Sequence, residues 1–372
     1  MADETQLETQ PVKTLPLEHL HRGAAAKFGV FAGWNMPLSY PLGVMKEHLH
    51  TRTAAGLFDI SHMQLVAVEG PEAVPFMAYA LPLDPALMPD GQSKYTFLLN
   101  ENAGIDDDLI ATRLSATRFM IVANASRAEA DVAELKSRAA DFDVKVTALP
   151  RVTLALQGPK SEQALIAAGI SNPPQSFMTG NEPKPGWFLT RSGYTGEDGF
   201  EIAIPLDEAE EFATKLAGQS EVEWIGLAAR DSLRLEAGLC LHGNDIDAAT
   251  DPVSAGLIWA VPKSIRTNGT FVGAMAFATI LKNAPTHKRV GLKAEGRQPV
   301  RGGVSLTDET GVPAGRVTSG GFGPSAEGPV AMGYVRTDLA AIGTRVLADL
   351  RGKPTPMIIS PLPFIPHSYR KG

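Results

Sequence analysis

Two periodicities alternate along the first part of the chain. Apolar residues at every second position, as in "MQLVAV" at 63–68, predict a half-buried strand. The segment 94–124, "KYTFLLNENAGIDDDLIATRLSATRFMIVAN", predicts three short strands separated by turns. Helical spacing predicts a helix from 46 that ends at Gly56 and another over 125–142. The second helix has four apolar residues roughly on one side: Ala130, Val132, Leu135 and Ala139.

The second part of the chain repeats this mixture and then changes character. A hairpin is predicted at 186–205 around a glycine-rich turn. Helices are predicted at 206–218 and 225–239, and the latter ends at Gly238. From about Lys288 onwards, short apolar runs separated by glycine predict a small all-β module. The whole pattern favours an α+β fold with antiparallel sheets, followed by this module.

Length and charge limit the classes of protein that fit this pattern. A chain of 372 residues is long enough for two or three domains. Its net charge of -7 offers nothing that attracts a polyanion, so we expect no nucleic-acid partner. No apolar run approaches the ~20 residues that span a bilayer, so we expect no membrane association.

The single cysteine, Cys240, excludes an intrachain disulfide and a cysteine-rich zinc site, which suits a reducing compartment. Within "AGLCLHG" we expect it to pack as a small hydrophobic residue. The acidic segment "MADETQLETQ" resembles neither a secretory signal nor an arginine-rich transit peptide. We therefore expect a cytoplasmic protein, or one of the mitochondrial matrix if it is a processed organelle protein.

The usual catalytic motifs do not occur in this sequence. The glycines of "GGFGPS" at 320–325 have the wrong spacing for a dinucleotide fingerprint and do not open a helix. The pairs His19/His21 and His48/His50 each hold histidines two residues apart, which do not share a helix face. We therefore expect exposed or capping histidines rather than a metal site.

An acidic triplet is the first candidate for a functional site. In "NENAGIDDDLI" at 100–110, Asp106 and Asp107 have the chemistry of a turn, whereas Asp108 meets the apolar residues that open a strand. A carboxylate drawn into a pocket there can act on a substrate amine. Three adjacent aspartates also suit a hard cation. Successive strand residues point to opposite faces, so at most alternate aspartates can converge.

Two further charged residues lie among apolar neighbours. Glu201 alternates with Phe200 and Ile202 and points away from them, either into a site or onto a solvated hairpin face. Arg230 and Arg234 lie four residues apart on one helix face. There an arginine can pair with a surface acid or hold a ligand carboxylate by two hydrogen bonds, and the pattern alone leaves both open.

These segments, taken in order, resemble the glycine cleavage T-protein family, and the resemblance covers nearly the whole chain. The segments that carry it are "FAGWNMPLSY", "TRTAAGLFDISHM", "NENAGIDDDLI", "ALQGP", "GYTGEDGFEI", "GLAARDSLRLEAGL", "GNDID", "VTSGG" and "VAMGYV". Each is weak alone, but together, in family order and at family-like spacing, they are highly specific.

The resemblance implies a three-domain α+β fold with antiparallel sheets around a central folate site and a C-terminal β-barrel. Residues 1–55 and 146–280 are then folate-binding domain 1, 56–145 an α+β domain 2, and 281–372 the barrel. The implied activity is that of an aminomethyltransferase. Such an enzyme passes the methylene of the aminomethyl group on lipoylated H-protein to tetrahydrofolate, releasing ammonia and forming 5,10-methylenetetrahydrofolate. Tetrahydrofolate is the co-substrate, H-protein is the partner, and no metal is expected.

The same resemblance implies roles for individual residues. Asp108 matches the essential aspartate of the family, Glu201 a pteridine-binding glutamate, and Arg230 an arginine on the folate side. Tyr369, in "FIPHSYR", matches a C-terminal binding tyrosine. Other residues fall where the family lines its pocket: Met63, Tyr95, Asn124, Tyr194 and Trp259. Carboxylates suit the donors of a pteridine edge, and the carboxylates of the folate tail give Arg230 a physical reason to exist in an acidic protein.

Three departures from the family pattern affect surface detail rather than a principal ligand. Asp106 replaces an apolar residue, Arg127 takes the second Asn position of an "NAAN"-like segment, and "TFVGAMAF" replaces a sequence more like "FIGKEAL". The alternative function is a folate-dependent demethylase of a methylamine or sulfonium compound, which the absence of an attached oxidase disfavours. A non-catalytic accessory protein would carry a Lys-Gly-Cys motif, which is absent from this sequence.

Overall fold

The computed structural model of the chain describes residues 11–371. Its strands, numbered in chain order, are β1 Lys13–Thr14, β2 Lys27–Phe31, β3 Trp34–Ser39, β4 Ala55–Asp59, β5 Gln64–Glu69, β6 Ser93–Leu99, β7 Ile105–Ser115, β8 Arg118–Ala123, β9 Lys145–Leu149, β10 Val152–Gln157, β11 Thr179–Asn181, β12 Phe188–Arg191, β13 Gly199–Ile204, β14 Val222–Trp224, β15 His287–Ala294, β16 Ser305–Thr307, β17 Pro313–Gly323, β18 Gly328–Arg336, β19 Arg345–Leu350 and β20 Lys353–Ser360. Its α-helices are α1 Glu18–Gly23, α2 Val44–Thr53, α3 Ala73–Ala80, α4 Ala128–Arg138, α5 Ser161–Ala167, α6 Leu206–Ala217, α7 Leu227–Glu236 and α8 Ala274–Asn283.

A six-stranded sheet in the order β11-β12-β13-β10-β4-β14 holds one hydrophobic core. Its strand β10 pairs antiparallel with both β13 and β4, while β14 runs parallel to β4. Leu154 and Ile202 from the sheet are buried with Leu165 of α5 and Phe212 of α6. The hairpin predicted at 186–205 is confirmed, because β12 pairs with β13 and sets Thr190 opposite Glu201.

A five-stranded antiparallel sheet in the order β6-β7-β8-β5-β9 holds the second core, with α3 and α4 packed on it. The three strands predicted at 94–124 are confirmed as β6, β7 and β8. Strand β7 already begins at Ile105, however, so Asp106, Asp107 and Asp108 all lie in the strand. The expectation that Asp106 and Asp107 belong to a turn is therefore wrong.

The C-terminal part is a closed barrel in the order β15-β18-β17-β16-β19-β20, which confirms the predicted all-β module. Its interior is filled by buried aliphatic residues, among them Leu292, Val317 and Val346. After β20 the chain returns to the six-stranded sheet, where Ser368 N donates to Gly196 O at 2.8 Å. This C-terminal tail, residues 361–371, therefore joins the barrel to the region of the hairpin turn.

The predicted α+β fold with a C-terminal barrel is confirmed, whereas the domain boundaries at 55/56, 145/146 and 280/281 stay a prediction. Strand β4 begins at Ala55 and lies in the six-stranded sheet, next to β10. The six-stranded sheet, the five-stranded sheet and the barrel are formed by separate sets of strands. The small sheet β1-β3-β2 precedes them in sequence.

Some local expectations fail for reasons of packing. Helix α2 ends at Thr53 rather than at Gly56, which lies inside β4. A Cβ atom on Gly56 would lie 2.5 Å from Thr51 Oγ1 and 2.8 Å from Ile225 Cγ1, so this glycine permits close packing rather than stopping a helix.

Two histidines expected to be exposed or capping are fully buried. His21 Nε2 lies 2.8 Å from Asp59 Oδ2, and His48 Nε2 lies 3.0 Å from Glu236 Oε2. Both side chains are 0% exposed. The carboxylates that accept from them lie more than 35 residues away in sequence, so local periodicity had no means of predicting the burial.

Candidate active site

A cavity of about 1160 Å³ lies between the two large sheets, the helix α7 and the C-terminal tail. The residues that line it include Phe31 of β2, Tyr95 of β6, Glu201 of β13 and Arg230 of α7. All nine residues that the sequence analysis names line it: Met63, Tyr95, Asp108, Asn124, Tyr194, Glu201, Arg230, Trp259 and Tyr369. Residues spread over some 300 positions of the sequence thus meet at one central site.

Asp108 is held at the cavity wall by two hydrogen bonds. Tyr95 Oη donates to Asp108 Oδ2 at 2.9 Å, and Asn124 Nδ2 donates to Asp108 Oδ1 at 2.9 Å. Burial raises the pKa of the Asp108 carboxyl group to about 7, and the nearby charge of Asp107 adds to the increase. Asp108 can therefore both accept and release a proton near neutral pH.

Asp107 has a different role in the strand from the one expected. It is fully buried, and Asn124 donates to it twice, from the backbone N to Oδ2 at 3.0 Å and from Nδ2 to Oδ1 at 2.8 Å. The amide of Gly104 donates instead to Asn100 Oδ1 at 2.9 Å. Asp107 thus fixes Asn124, and Asn124 in turn fixes Asp108.

Glu201 and Arg230 form a second charged part of the wall. Ser192 Oγ donates to Glu201 Oε2 at 3.2 Å, and the Arg230 guanidinium lies 4.8 Å from the ring centroid of Tyr194. Burial raises the pKa of Glu201 and the positive charge of Arg230 opposes that increase. Within residues 11–371, Nη1 of Arg230 is buried and has no hydrogen-bond partner, so it remains available to a ligand.

Aromatic side chains supply flat surfaces around these charges. Trp259 is 63% exposed and stacks on Tyr95, with ring centroids 5.5 Å apart and planes at 21°. Tyr369 stacks on Phe177 with centroids 3.8 Å apart and planes at 5°. The backbone holds this second pair, because Phe177 N donates to Arg370 O at 2.9 Å. Planar heterocycles and benzoyl rings are ligands that such surfaces accommodate.

Three histidines of the wall, His62, His242 and His367, were not predicted from the sequence. His62 lies in the segment "TRTAAGLFDISHM", and burial together with the charge of Arg230 lowers its pKa to about 3, so the imidazole is neutral. His242 Nδ1 lies 3.9 Å from Asp107 Oδ1. The available signal was weak, since His62 and His242 are polar residues in otherwise apolar segments.

Cys240 packs as expected. It is 6% exposed at the cavity wall, and burial raises the pKa of its thiol to about 12. In the part of the chain that the structure describes, no group of three or more His, Cys, Asp or Glu side chains is arranged to hold a metal ion.

Known proteins resemble the chain over almost its full length. The GCVT N-terminal domain matches residues 17–264, and the glycine cleavage T-protein C-terminal barrel domain matches residues 287–365. The mitochondrial aminomethyltransferase of Gallus gallus is 41% identical, over 96% of this chain and 94% of that protein. The mitochondrial aminomethyltransferase of Homo sapiens is 38% identical, over 96% of this chain and 91% of that protein.

A solved structure shows the same fold. The crystal structure of glycine cleavage system aminomethyltransferase T from Bartonella henselae is 60% identical in sequence and has a TM-score of 0.95. The match covers 97% of this chain and 100% of that chain.

With these relatives, the fold and the cavity define the class of this protein as an α+β transferase with a C-terminal barrel and a titratable carboxyl group in its central cavity. Within that class, the chain belongs to the glycine cleavage T-protein family. The family and the aminomethyltransferase activity predicted from the sequence are confirmed.

Proposed function

We propose that the cavity binds tetrahydrofolate as co-substrate and receives the aminomethyl group on the lipoyl arm of H-protein. Membership of the aminomethyltransferase family supports both substrates. The observation that carries the proposal is the carboxyl group of Asp108, which has a pKa of about 7 and faces a cavity large enough for a folate. Around it, the proposed folate-binding residues are Met63, Tyr95, Asn124, Tyr194, Glu201, Arg230, Trp259 and Tyr369.

The transfer requires protons to move at the reacting atoms. The methylene carbon loses its bonds to the amine nitrogen and the lipoyl sulfur and gains bonds to two folate nitrogens. The two N–H protons that leave the folate balance the protons that depart on ammonia and on the thiol. We assign to Asp108 the acceptance and return of such a proton, because a carboxyl group with a pKa near neutrality is suited to both steps. Its charged form also stabilises cationic iminium character nearby.

Glu201 and Arg230 are the proposed contacts to the pteridine. Together they offer an acceptor and a donor in a buried part of the wall, and a pteridine edge presents both kinds of group. The resemblance suggested that the carboxylates of the folate tail are the reason for Arg230. Its position beside Glu201 and over the Tyr194 ring suits a neutral heterocycle better, because a buried tail carboxylate would be repelled by Glu201.

The domain division and the cellular compartment also remain proposals. We propose 1–55 with 146–280, 56–145, and 281–372 as the three domains, since the two large sheets and the barrel have separate sets of strands. Strand β4, Ala55–Asp59, lies across the first boundary and pairs with β10 of the first domain. The eukaryotic relatives are mitochondrial by name. No helix among residues 11–371 is long and apolar enough to cross a membrane. For this chain we propose the cytoplasm, or the matrix if it is a processed organelle protein, which cell fractionation tests.

The test of the proposed function is a turnover assay with defined substrates. Aminomethyl-loaded H-protein and tetrahydrofolate are mixed with the enzyme, and ammonia and methylenetetrahydrofolate are measured. We expect both products in equal amounts, with no turnover when either substrate is omitted. Asp106→Asn is the matched control for Asp108→Asn, because Asp106 lies in the same strand but does not line the cavity.

The demethylase alternative is not favoured, because the relatives that match almost the whole chain are aminomethyltransferases. Turnover of a free methylamine or sulfonium compound, without turnover of loaded H-protein, is the result that would restore it.

A further inference from the structure

Helix α4 buries two charged residues, and their surroundings differ. Arg138 donates to Ala80 O, to Leu99 O and to Glu134 Oε1, each at 2.7 Å. Asp131 is 0% exposed, yet among the described residues neither of its oxygens accepts a hydrogen bond from an N–H or hydroxyl group. A buried carboxylate without donors is costly, so the group is expected to be neutral or to share a proton.

The charged groups around Asp131 support this expectation. Its carboxyl group is within hydrogen-bonding reach of Asp107, and the charge of Asp106 acts on it as well. The guanidinium of Arg127 lies 3.8 Å from Asp131 Oδ1 and lowers its pKa, but it is 37% exposed and its effect is smaller than those of burial and of Asp107. Two buried carboxyl groups in contact cannot both be ionised, so one of the pair Asp107 and Asp131 holds a proton.

The neighbours of Asp107 indicate that the proton is on Asp131 rather than on Asp107. Asp107 accepts a hydrogen bond from Asn124 on each of its two oxygens, so it already acts as the acceptor in this contact. Asp131 has no comparable donors in the described part of the chain. In agreement, burial raises the pKa of Asp131 to about 9, and the hydrogen bond to Asp107 is the next cause.

We propose that Asp131 is a protonated positioning residue, which donates a hydrogen bond to Asp107 and acts through Asn124 on the orientation and proton affinity of Asp108. The path is short, because Asn124 Nδ2 donates to both Asp107 Oδ1 and Asp108 Oδ1. A neutral Asp131 adds no second negative charge beside Asp107. The inference rests on the proposed role of Asp108, since the proton affinity that it tunes is that of Asp108.

Two substitutions separate a proton-holding role from a purely structural one. Asp131→Asn retains a donor towards Asp107 but cannot ionise, so kcat and the apparent pKa of the pH–rate profile should remain those of the wild type. Asp131→Ala removes the donor, so kcat should fall about tenfold, as loss of an outer-shell partner commonly does. Its apparent pKa should rise by about half a unit or more, because the charge of Asp107 then acts more strongly on Asp108.

Glu129→Gln is the matched control, because it changes an acid in the first turn of the same helix that is 87% exposed. It should leave the profile unchanged. A lower apparent pKa in Asp131→Asn would overturn the proposal, since it would show that the wild-type residue carries a negative charge. A wild-type profile in Asp131→Ala, with only stability reduced, would overturn it as well.

Infrared spectroscopy tests the protonation state without turnover and without the alanine variant. Wild-type protein at pH 7 should show the carbonyl stretch of a buried, protonated carboxyl group that disappears in Asp131→Asn. Identical spectra for the two proteins would contradict a protonated Asp131. Because this band does not depend on catalysis, failure of the proposed function and failure of this inference give different results.

Discussion

Two half-buried carboxyl groups, those of Asp108 and Glu201, line the same cavity but have opposite neighbours. Asp108 lies beside another carboxylate, Asp107, and burial with that charge raises its pKa to about 7. Glu201 lies near Arg230, whose positive charge opposes the effect of burial. Similar residues at similar depth are therefore suited to different tasks, Asp108 to moving a proton and Glu201 to binding a ligand beside a cation.

The difference arises from the elements that meet at each place. Asp108 is on β7, directly after Asp107. Both carboxylates accept hydrogen bonds from Asn124, which follows β8. Glu201 is on β13 and lies near Arg230 of α7, whose positive charge opposes the effect of burial on its pKa. Four substitutions test this distinction between the two carboxyl groups.

The largest effect is expected for Asp108→Asn. The amide oxygen can still accept from Asn124 and the amide NH2 can donate to Tyr95 Oη, but the group cannot take up a proton, so ammonia release should fall about 100-fold or more. Affinity for tetrahydrofolate, measured by calorimetry, should change little. A larger loss of turnover in Asp107→Asn than in Asp108→Asn would show that the assignment within the triplet is wrong.

The next effect is expected for Glu201→Gln. Replacing the carboxyl group by an amide should weaken tetrahydrofolate binding by about 10- to 100-fold, because hydrogen bonds to charged groups contribute about 1.5–3 kcal/mol. The turnover number at saturating folate should change much less. Glu210→Gln, an exposed acid of α6 that pairs with His19, is the control. Unchanged affinity with a low turnover number would place Glu201 in the proton-transfer step instead.

A smaller effect is expected for Tyr95→Phe, in the pH dependence of the rate. Asp108 must be ionised to act as a base, so the wild-type rate should fall as the pH falls below about 7. The hydrogen bond from Tyr95 lowers the pKa of Asp108, so its loss should move the profile up by about half a unit or more. A shift towards lower pH would contradict the proposed coupling, and Trp259→Phe, which keeps the hydrogen bond, is the control.

The smallest effect is expected for Trp259→Ala. The indole is mostly exposed and stacks on Tyr95, so its loss should affect only substrate affinity. We expect a rise in KM for tetrahydrofolate of about two- to fivefold, since aromatic pairs contribute about 0.5–1.5 kcal/mol. Met275→Ala, at an 87% exposed position of α8, should have no effect. A tenfold change in turnover number for Trp259→Ala would show that the aromatic wall takes part in the chemistry.

Strong local signals made much of the fold predictable. The hairpin of β12 and β13 and the helices α6 and α7 follow from alternation, helical spacing and glycine at the ends. Helix α4 was predicted as well, and Val132, Leu135 and Ala139 of its predicted apolar side pack against the second core, whereas Ala130 is exposed. The sequence did not predict that Asp131 and Arg138 are buried. Their burial depends on partners in the five-stranded sheet, which a helical pattern does not contain.

The candidate site was predictable as a set of residues but not as an arrangement. The family motifs pointed to nine residues that line one cavity. They did not reveal that Asn124 links Asp107 to Asp108, or that Asp131 faces Asp107 without a donor. The identity of each residue can be read from the sequence. The proton affinity of a carboxyl group, in contrast, depends on its distances to side chains that are remote along the chain.

By itself, the sequence determined the family, the activity class and the order of strands and helices, because motifs and periodicities are local properties. Only the tertiary structure decided that the Asp107 carboxyl is buried in a strand rather than placed in a turn. Folding also gave the carboxyl groups of Asp108 and Glu201 different neighbours, since Asp108 lies beside a carboxylate and Glu201 near a guanidinium. The reason is electrostatic: the free energy of a buried charge depends on its nearest charged and polar neighbours, and folding chooses those neighbours.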